Sequence, residues 1–220
     1  MTLEPHPQTA RTRPRSAAAT RLRLLEAALE LLCEHGIDDV SVRDISDAAG
    51  ASPAAINYHF GSKVALLEEL LRRQATNVTA RRTAMLDEAQ GTSPTLRQIA
   101  EIFVHPMLER GTEEFGVPGT DAVFLSAAAA HPDYSDLLAE LYEPSNRRLF
   151  DLVAAATPHL RPEVRSVRWA MAKDLVNHAV ANPRSPFNSY LRYMKVAGTV
   201  SLSDALIDVI AAIFGAESTI

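Results

Sequence analysis

The sequence predicts an all-α fold, and three observations support that prediction. Of the 220 residues, 47% are hydrophobic and only 6% are aromatic, and the abundance of Ala and Leu favours helix over sheet. Apolar residues recur at steps of three and four, which is the period of a helix with one buried face. Gly, Pro and Ser residues separate these segments at positions typical of helix ends.

The distribution of charge is more informative than the net charge of −5. Residues 1–25 contain five arginines and one glutamate, whereas residues 101–143 contain nine acidic residues and one arginine. A locally basic segment can contact phosphates whatever the total charge of the molecule. We expect the acidic segment to be ordinary solvated surface.

Cysteine content and hydropathy indicate a cytoplasmic protein without a membrane partner. Cys33 is the only cysteine, so we expect neither an internal disulfide nor a multi-cysteine zinc site, and we interpret it as a small buried core residue. The polar first sixteen residues do not resemble a secretory signal. The apolar segment Ala205–Phe214 contains Asp208 and is too short to span a bilayer.

The N-terminal part begins with a predicted flexible basic arm, residues 1–19, which combines prolines, small residues and scattered arginines. A first helix is predicted to start at Thr20, which can cap it, and to end at Gly36. Its apolar residues recur on one face, as expected of a helix that packs on a core.

Two short helices are predicted next. The first has the S-x-x-D form of a capping box from Ser41 and is closed by Gly50. The second begins with Pro53 after Ser52 and ends at Phe60. Two short helices joined by a tight glycine-containing turn, with a bracing helix before them, are typical of a helix-turn-helix. The second helix of such a pair lies in the major groove of DNA.

This segment resembles the DNA-binding domain of the TetR family over residues from about 20 to 71. The resemblance rests on the ordered series Val42-Arg43-Asp44-Ile45, Ala48-Ala49-Gly50-Ala51-Ser52, Tyr58-His59-Phe60 and Ser62-Lys63. It implies a homodimer in which C-terminal helices form an effector pocket and a dimer interface. The DNA-binding residues that the resemblance and the exposed helix face suggest are Arg43, Ser52, Ala54, Ala55, Asn57, Tyr58, His59 and Lys63.

Each of these side chains has a chemistry suited to DNA. Small Ala54 and Ala55 allow close approach and offer methyl groups to thymine. Asn57 can bond to a base edge or a phosphate, and Tyr58 and His59 carry donors for backbone oxygens. Lys63 and Arg43 lie in first turns of helices, where the partly positive helix end also attracts phosphate. For Ser52, capping alone is an alternative, and for His59, packing alone.

The predicted domains are therefore the arm at 1–19, a helix-turn-helix domain at 20–71 with its motif at 41–60, and an effector-binding and dimerisation domain at 72–220. The C-terminal part is predicted to contain helices at 94–110, 121–131, 134–157, 162–181 and 202–214, separated by loops that include 116–120 and 182–189. Pro144 is expected to kink or split the third of these helices.

The effector site is expected between C-terminal helices, where ligand sites are mostly apolar with a few polar groups. The candidate lining residues are Phe103, His105, Met107, Phe124, Leu125, Trp169, Met171 and His178, and core packing is the alternative for each. Four histidines in this half lack the spacing of metal ligands, so we expect no metal. We also expect no cofactor.

The dimer interface is predicted on the helices at 162–181 and 202–214, which would form a four-helix bundle across a two-fold axis. The last helix carries an apolar stripe that a monomer would have difficulty covering entirely, and packing of this stripe inside the chain is the alternative. The stripe consists of Leu202, Leu206, Val209, Ile210 and Ile213.

These patterns together predict a DNA-binding transcription repressor that a small, partly apolar effector releases from its operator. An activator, or a regulator controlled by a protein partner, remains the alternative. The sequence contains no nucleophile elbow, P-loop, dinucleotide fingerprint or paired metal ligands, so we do not expect an enzyme.

Overall fold

The computed structural model describes residues 13–108, 120–180, 193–194 and 201–217. These residues form nine helices with defined bounds, and no strand occurs among them, so the all-α prediction is confirmed. The helices are α1 (Arg13–His35), α2 (Val42–Ala48), α3 (Pro53–Phe60), α4 (Lys63–Glu88), α5 (Leu96–Leu108), α6 (Thr120–Ala130), α7 (Ser135–Ala156), α8 (Pro162–Val180) and α9 (Leu202–Gly215).

The chain divides into two compact units, here called the N-terminal unit, which ends at Leu67, and the C-terminal unit, which begins at Glu68. The division falls inside α4, so this helix contributes residues to both units. None of the helices in the described ranges is long and apolar enough to cross a membrane.

Helix α1 begins earlier than the sequence analysis predicted. It starts at Arg13, so residues 13–19 of the predicted flexible arm are helical and Thr20 is not the cap. Pro14 is compatible with the first helical turn, and the Ala17–Ala19 run has the highest helix propensity. The first twelve residues of the predicted arm lie outside the described residues.

The caps of the helix-turn-helix follow from local hydrogen bonds, as predicted. The Ser41 Oγ accepts from the Asp44 backbone N–H at 3.2 Å, and the Asp44 carboxylate accepts from the Ser41 backbone N–H at 2.8 Å, which forms the capping box of α2. Gly50 adopts φ +59, a left-handed conformation that closes the turn before α3. The two short helices therefore have the predicted bounds.

Long-range contacts hold the three N-terminal helices together. The Arg23 Nε donates to the Ala49 carbonyl oxygen at 3.2 Å, which ties α1 to the end of α2. Ile45 of α2 and Ile56 of α3 are completely buried, as are Leu24 and Leu25 of α1. This core fixes the orientation of α3 within the N-terminal unit.

In the C-terminal unit, α5, α7, α8 and α9 pack around one apolar core, and α9 lies against α5. The predicted helices occur here with ends shifted by a few residues. The predicted split at Pro144 is wrong, because α7 continues through this exposed residue. The predicted loop at 182–189 and most of the loop at 116–120 lie outside the described residues.

The apolar stripe of the last helix lies mainly inside the chain. Leu206 and Ile210 are buried in the core of the C-terminal unit, whereas Val209 is 48% exposed. The alternative of packing inside the chain therefore holds for these two residues, because the neighbouring helix α5 already covers them.

Candidate nucleic-acid interface and ligand cavity

The outer face of α3 consists of side chains that the fold leaves uncovered. Ala54, Asn57 and Tyr58 are exposed, Ala55 is half-buried, and Ile56 fills the core behind them. Tyr58 is 81% exposed, which is unusual for so large an apolar ring. This face is available to a partner that accepts both aromatic and amide contacts.

Ser52 occupies the N-cap position of α3, but its side chain makes no capping hydrogen bond. Its carbonyl oxygen, not its hydroxyl, accepts from the Ala55 N–H at 2.8 Å. The prediction of a side-chain cap at Ser52 is therefore wrong, because the Ala55 N–H, one of the donors that a capping side chain would satisfy, bonds to the Ser52 carbonyl oxygen instead. The hydroxyl of this exposed residue stays accessible to solvent or to a ligand.

His59 packs along the helix surface and remains partly accessible. Its ring lies 4.9 Å from that of Tyr58 in an edge contact and 6.3 Å from that of Phe60. The guanidinium of Arg21 lies 4.8 Å from the centre of the Phe60 ring. An arginine of α1 therefore places positive charge beside the end of α3, and the sequence analysis did not single it out.

The two cations chosen from the sequence differ in how firmly they are held. The Lys63 Nζ donates to the Ile37 carbonyl oxygen at 3.0 Å, which leaves two of its N–H groups for another acceptor. The Arg43 side chain is 84% exposed, and its Nε lies 3.7 Å from the Asp47 carboxylate. Such an exposed ion pair contributes little, so Arg43 is free to reorient towards a phosphate.

A cavity of about 240 Å³ lies within the C-terminal unit, between α4, α5, α6, α7 and α8. Three of the predicted lining residues, Phe103, Met107 and Leu125, do line it. The other lining residues are Arg82, Ala129, Ser135, Leu138, Ala139, Tyr142, Asn146, Lys173, Val176 and Asn177.

The other five predicted pocket residues lie elsewhere. Trp169 stacks on Phe103 with ring centres 5.3 Å apart, while Phe124 is buried in the core and His105 is half-buried. Met171 and His178 are exposed and do not line this cavity. The reason is helical register, because the buried positions of α8 are one residue further along the chain, at Ala172, Val176 and Ala179.

The polar residues of the cavity were missed by the sequence analysis. Arg82 is only 2% exposed, and its Nη1 donates to the Asn146 Oδ1 at 2.8 Å. Burial lowers its pKa to about 10, because desolvation disfavours the charged form. The hydroxyl of Tyr142 is buried without a hydrogen-bond partner in the described residues, and burial raises its pKa. In the sequence, Arg82 follows Arg81 in a polar stretch, which is typical of an exposed helix face.

Metal ligands are not grouped in the described part of the chain. No cluster of three or more His, Cys, Asp or Glu side chains occurs there. Cys33 is half-buried, whereas the sequence analysis predicted a buried core residue.

Comparisons with known proteins agree with the helix-turn-helix geometry. Residues 24–70 match the family model described as bacterial regulatory proteins, tetR family. The HTH-type transcriptional repressor KstR2 of Mycolicibacterium smegmatis is 34% identical over 91 residues, which are 41% of this chain and 43% of the relative. The HTH-type transcriptional regulator AcrR of Shigella flexneri is 30% identical over 105 residues, 48% of either chain. The chain thus matches less than half the length of these relatives.

Solved structures share the fold over most of the chain. The fatty acid degradation regulator FadR from Bacillus halodurans has a TM-score of 0.61 at 16% identity, covering 93% of this chain and 97% of that chain. The ketosteroid transcriptional regulator KstR2 of Mycobacterium tuberculosis has a TM-score of 0.59 at 19% identity, covering 93% and 95%. The named relatives are transcription regulators and not enzymes. Residues 24–70 therefore form a helix-turn-helix domain of the TetR family of bacterial regulatory proteins.

Proposed function

We propose that the chain is a cytoplasmic, dimeric transcription repressor that a small effector releases from operator DNA. The observation that carries the proposal is the exposed face of α3, where Tyr58, Asn57 and Ala54 stand on a well-packed three-helix unit. A recognition helix needs this arrangement, because its base contacts depend on a rigid support.

The contacts in this proposal divide into two classes. Lys63, Arg43, Ser52 and His59 hold the unit on the phosphate backbone, which supplies affinity without sequence information. Ala54, Ala55, Asn57 and Tyr58 approach the base edges, where methyl and amide groups distinguish base pairs. The partial anchoring of Lys63 by Ile37 supports its role, since it holds the ammonium group in place before DNA binds.

Dimerisation is supported by exposed apolar side chains on the two helices predicted to form the interface. Val167 and Met171 are four residues apart on α8 and are 54% and 58% exposed, and Val209 of α9 is 48% exposed. Arg168 donates to the Ala216 carbonyl oxygen at 2.6 Å, which ties the end of α9 to α8. A second protomer would cover this face and place two recognition helices about 34–36 Å apart, the spacing of successive major grooves.

Release by the effector is a shift between two populations of the dimer. The effector favours a dimer whose recognition helices are spaced wrongly for the operator, and DNA favours the other. The cavity in the C-terminal unit supports a small molecule as the controlling ligand, in preference to a protein partner. An activator that uses the same DNA contacts is the second candidate.

The test is selection of bound fragments from the source genome, followed by affinity measurements on the enriched fragment at several salt concentrations. We expect Tyr58→Ala to weaken binding at least tenfold without loss of stability, because the ring is exposed. Lys63→Ala should weaken binding and reduce the salt slope by about 1, as expected for one lost phosphate contact.

The matched control is Arg161→Ala, which removes an exposed positive charge from the C-terminal unit and should leave affinity unchanged. A selection that enriches no fragment would contradict the proposal. So would variants at Tyr58 and Lys63 that bind as tightly as the wild type.

A further inference from the structure

Arg82 carries a buried charge that the described protein groups do not balance. The side chain lies among α4, α5 and α7, with its guanidinium 5.6 Å from the centre of the Phe103 ring and 5.7 Å from that of Tyr142. Its protein partners are neutral, namely Asn146 at 2.8 Å and Ser145 at 3.5 Å, both from Nη1. In the described part of the chain no Asp or Glu pairs with it, and its Nε has no acceptor.

Arg165, a half-buried arginine of the same unit, illustrates a structural role. Arg165 donates from Nε to the Thr157 Oγ1 at 3.1 Å and from Nη2 to the carbonyl oxygens of Thr157 and Leu160, each at 2.9 Å. Its donors thus hold the turn between α7 and α8. Arg82 has five N–H donors, but only its Nη1 donates to the described residues.

Arg82 lines the cavity, and its guanidinium remains protonated at neutral pH because its pKa of about 10 is well above 7. Tyr142 lines the same cavity, and its buried hydroxyl has no hydrogen-bond partner among the described residues. The hydroxyl stays neutral because burial raises its pKa. It can therefore donate a hydrogen bond to an anion. The remaining wall contains apolar side chains, which include Phe103, Met107 and Leu125, and the polar residues Ser135, Asn146, Lys173 and Asn177.

We propose that this cavity binds an amphipathic carboxylate, whose anionic group accepts hydrogen bonds from the Arg82 guanidinium and the Tyr142 hydroxyl. A planar guanidinium matches a carboxylate in a bidentate geometry. The apolar body of the ligand packs on Phe103, Met107 and Leu125. The volume of about 240 Å³ is below the 300–1,000 Å³ typical of sites for drug-sized ligands, which indicates a small molecule.

This inference names the chemical class of the proposed effector, and in that respect it rests on the proposed function. Binding of the ligand itself is measured without DNA. The probes are decanoate and 3-phenylpropionate, each compared with its primary amide, by calorimetry and by the shift in Tm of the wild type. We expect at least one acid to bind at least tenfold more tightly than its amide. Equal affinities within both pairs, or no binding by either acid, would overturn the inference.

Variants assign the preference to Arg82. Arg82→Met should reduce the affinity for the acid at least tenfold and leave the amide unaffected, and Tyr142→Phe should reduce it several-fold. Arg161→Met removes an exposed arginine and should change neither affinity. Acid binding that survives in Arg82→Met would overturn the assignment. If that variant does not fold, Tyr142→Phe and the acid-to-amide comparison on the wild type decide the question.

Failure of this inference is distinguishable from failure of the proposed function. An acid that binds through Arg82 but leaves DNA affinity unchanged would leave the inference standing and contradict effector release. DNA binding that is released by the amides, with no preference for the acids, would support release and overturn the anionic site.

Discussion

The two units use polar groups in opposite ways. In the N-terminal unit, the polar and aromatic groups that matter stand outside a solid core, as Tyr58 does on α3. In the C-terminal unit, a charged arginine and a tyrosine hydroxyl lie inside, beside a cavity. The proposed functions account for this difference, because a surface that reads DNA requires rigidity, whereas a ligand site retains polar groups that a ligand can satisfy.

The largest expected effect tests the rigidity of the N-terminal unit. Ile56→Ala should lower the free energy of unfolding by about 2–5 kcal/mol, because it leaves a cavity at a fully buried position directly behind the recognition face. Urea unfolding monitored by circular dichroism measures this loss. Val64→Ala is the control, since Val64 is 54% exposed and its truncation should change stability by less than about 0.5 kcal/mol. Equal losses in the two variants would mean that the N-terminal unit is not solidly packed.

The next effect compares buried Arg82 with half-buried Arg165 in the C-terminal unit. Arg165→Met should lower the free energy of unfolding by about 1–3 kcal/mol, because three buried acceptors lose their donor. Arg82→Met should lower the free energy of unfolding by less, because the substitution removes a desolvated charge together with its hydrogen bond to Asn146. Chemical denaturation of both variants without ligand measures the difference. A larger loss for Arg82→Met would make Arg82 a structural residue.

The smallest effect concerns the cap of α2. Ser41→Ala should lower the free energy of unfolding by about 1 kcal/mol, as is usual for the loss of a capping serine. The hydrogen bonds from the Ser41 side chain and backbone lower the pKa of Asp44 below its ordinary value of 3.8, because they favour the carboxylate.

A lowered pKa in the folded state means that the contribution of Asp44 is complete above 3.8 and is lost as the pH falls through the folded-state pKa. The stability advantage of the wild type over Asp44→Asn should therefore be present at neutral pH and disappear in acid. Urea unfolding of both proteins at neutral pH and in acid measures this advantage. An advantage independent of pH would contradict the role of the Asp44 charge.

The part of the fold that the sequence predicts best depends on local interactions. The capping box of Ser41 and Asp44 and the left-handed Gly50 involve residues within a few positions of one another, so their spacing alone predicts the bounds of α2 and the start of α3. The start of α1 was predicted too late because Thr20 is a plausible cap, and the alanines before it favour helix without any cap.

The cavity could not be predicted in the same way, because its walls come from five helices. Aromatic and apolar residues such as Phe103 and Leu125 were identified by type, whereas Met171 was misplaced by a single helical position, equivalent to about a quarter turn. The sequence did not indicate that Arg82 is buried, because an arginine on a polar stretch of helix is normally exposed. Only its neighbours Asn146 and Tyr142, more than fifty positions away in sequence, make it a site residue.

The most direct test of the account is the affinity for the selected operator fragment, measured by fluorescence anisotropy with and without the more tightly binding acid probe. The wild type should lose about tenfold in operator affinity at saturating acid, within the range usual for coupled sites, and DNA should weaken acid binding by the same factor. Arg82→Met should keep its operator affinity when the acid is added. An operator affinity of the wild type that is unchanged while the acid is bound would contradict control of the DNA-binding unit by this cavity.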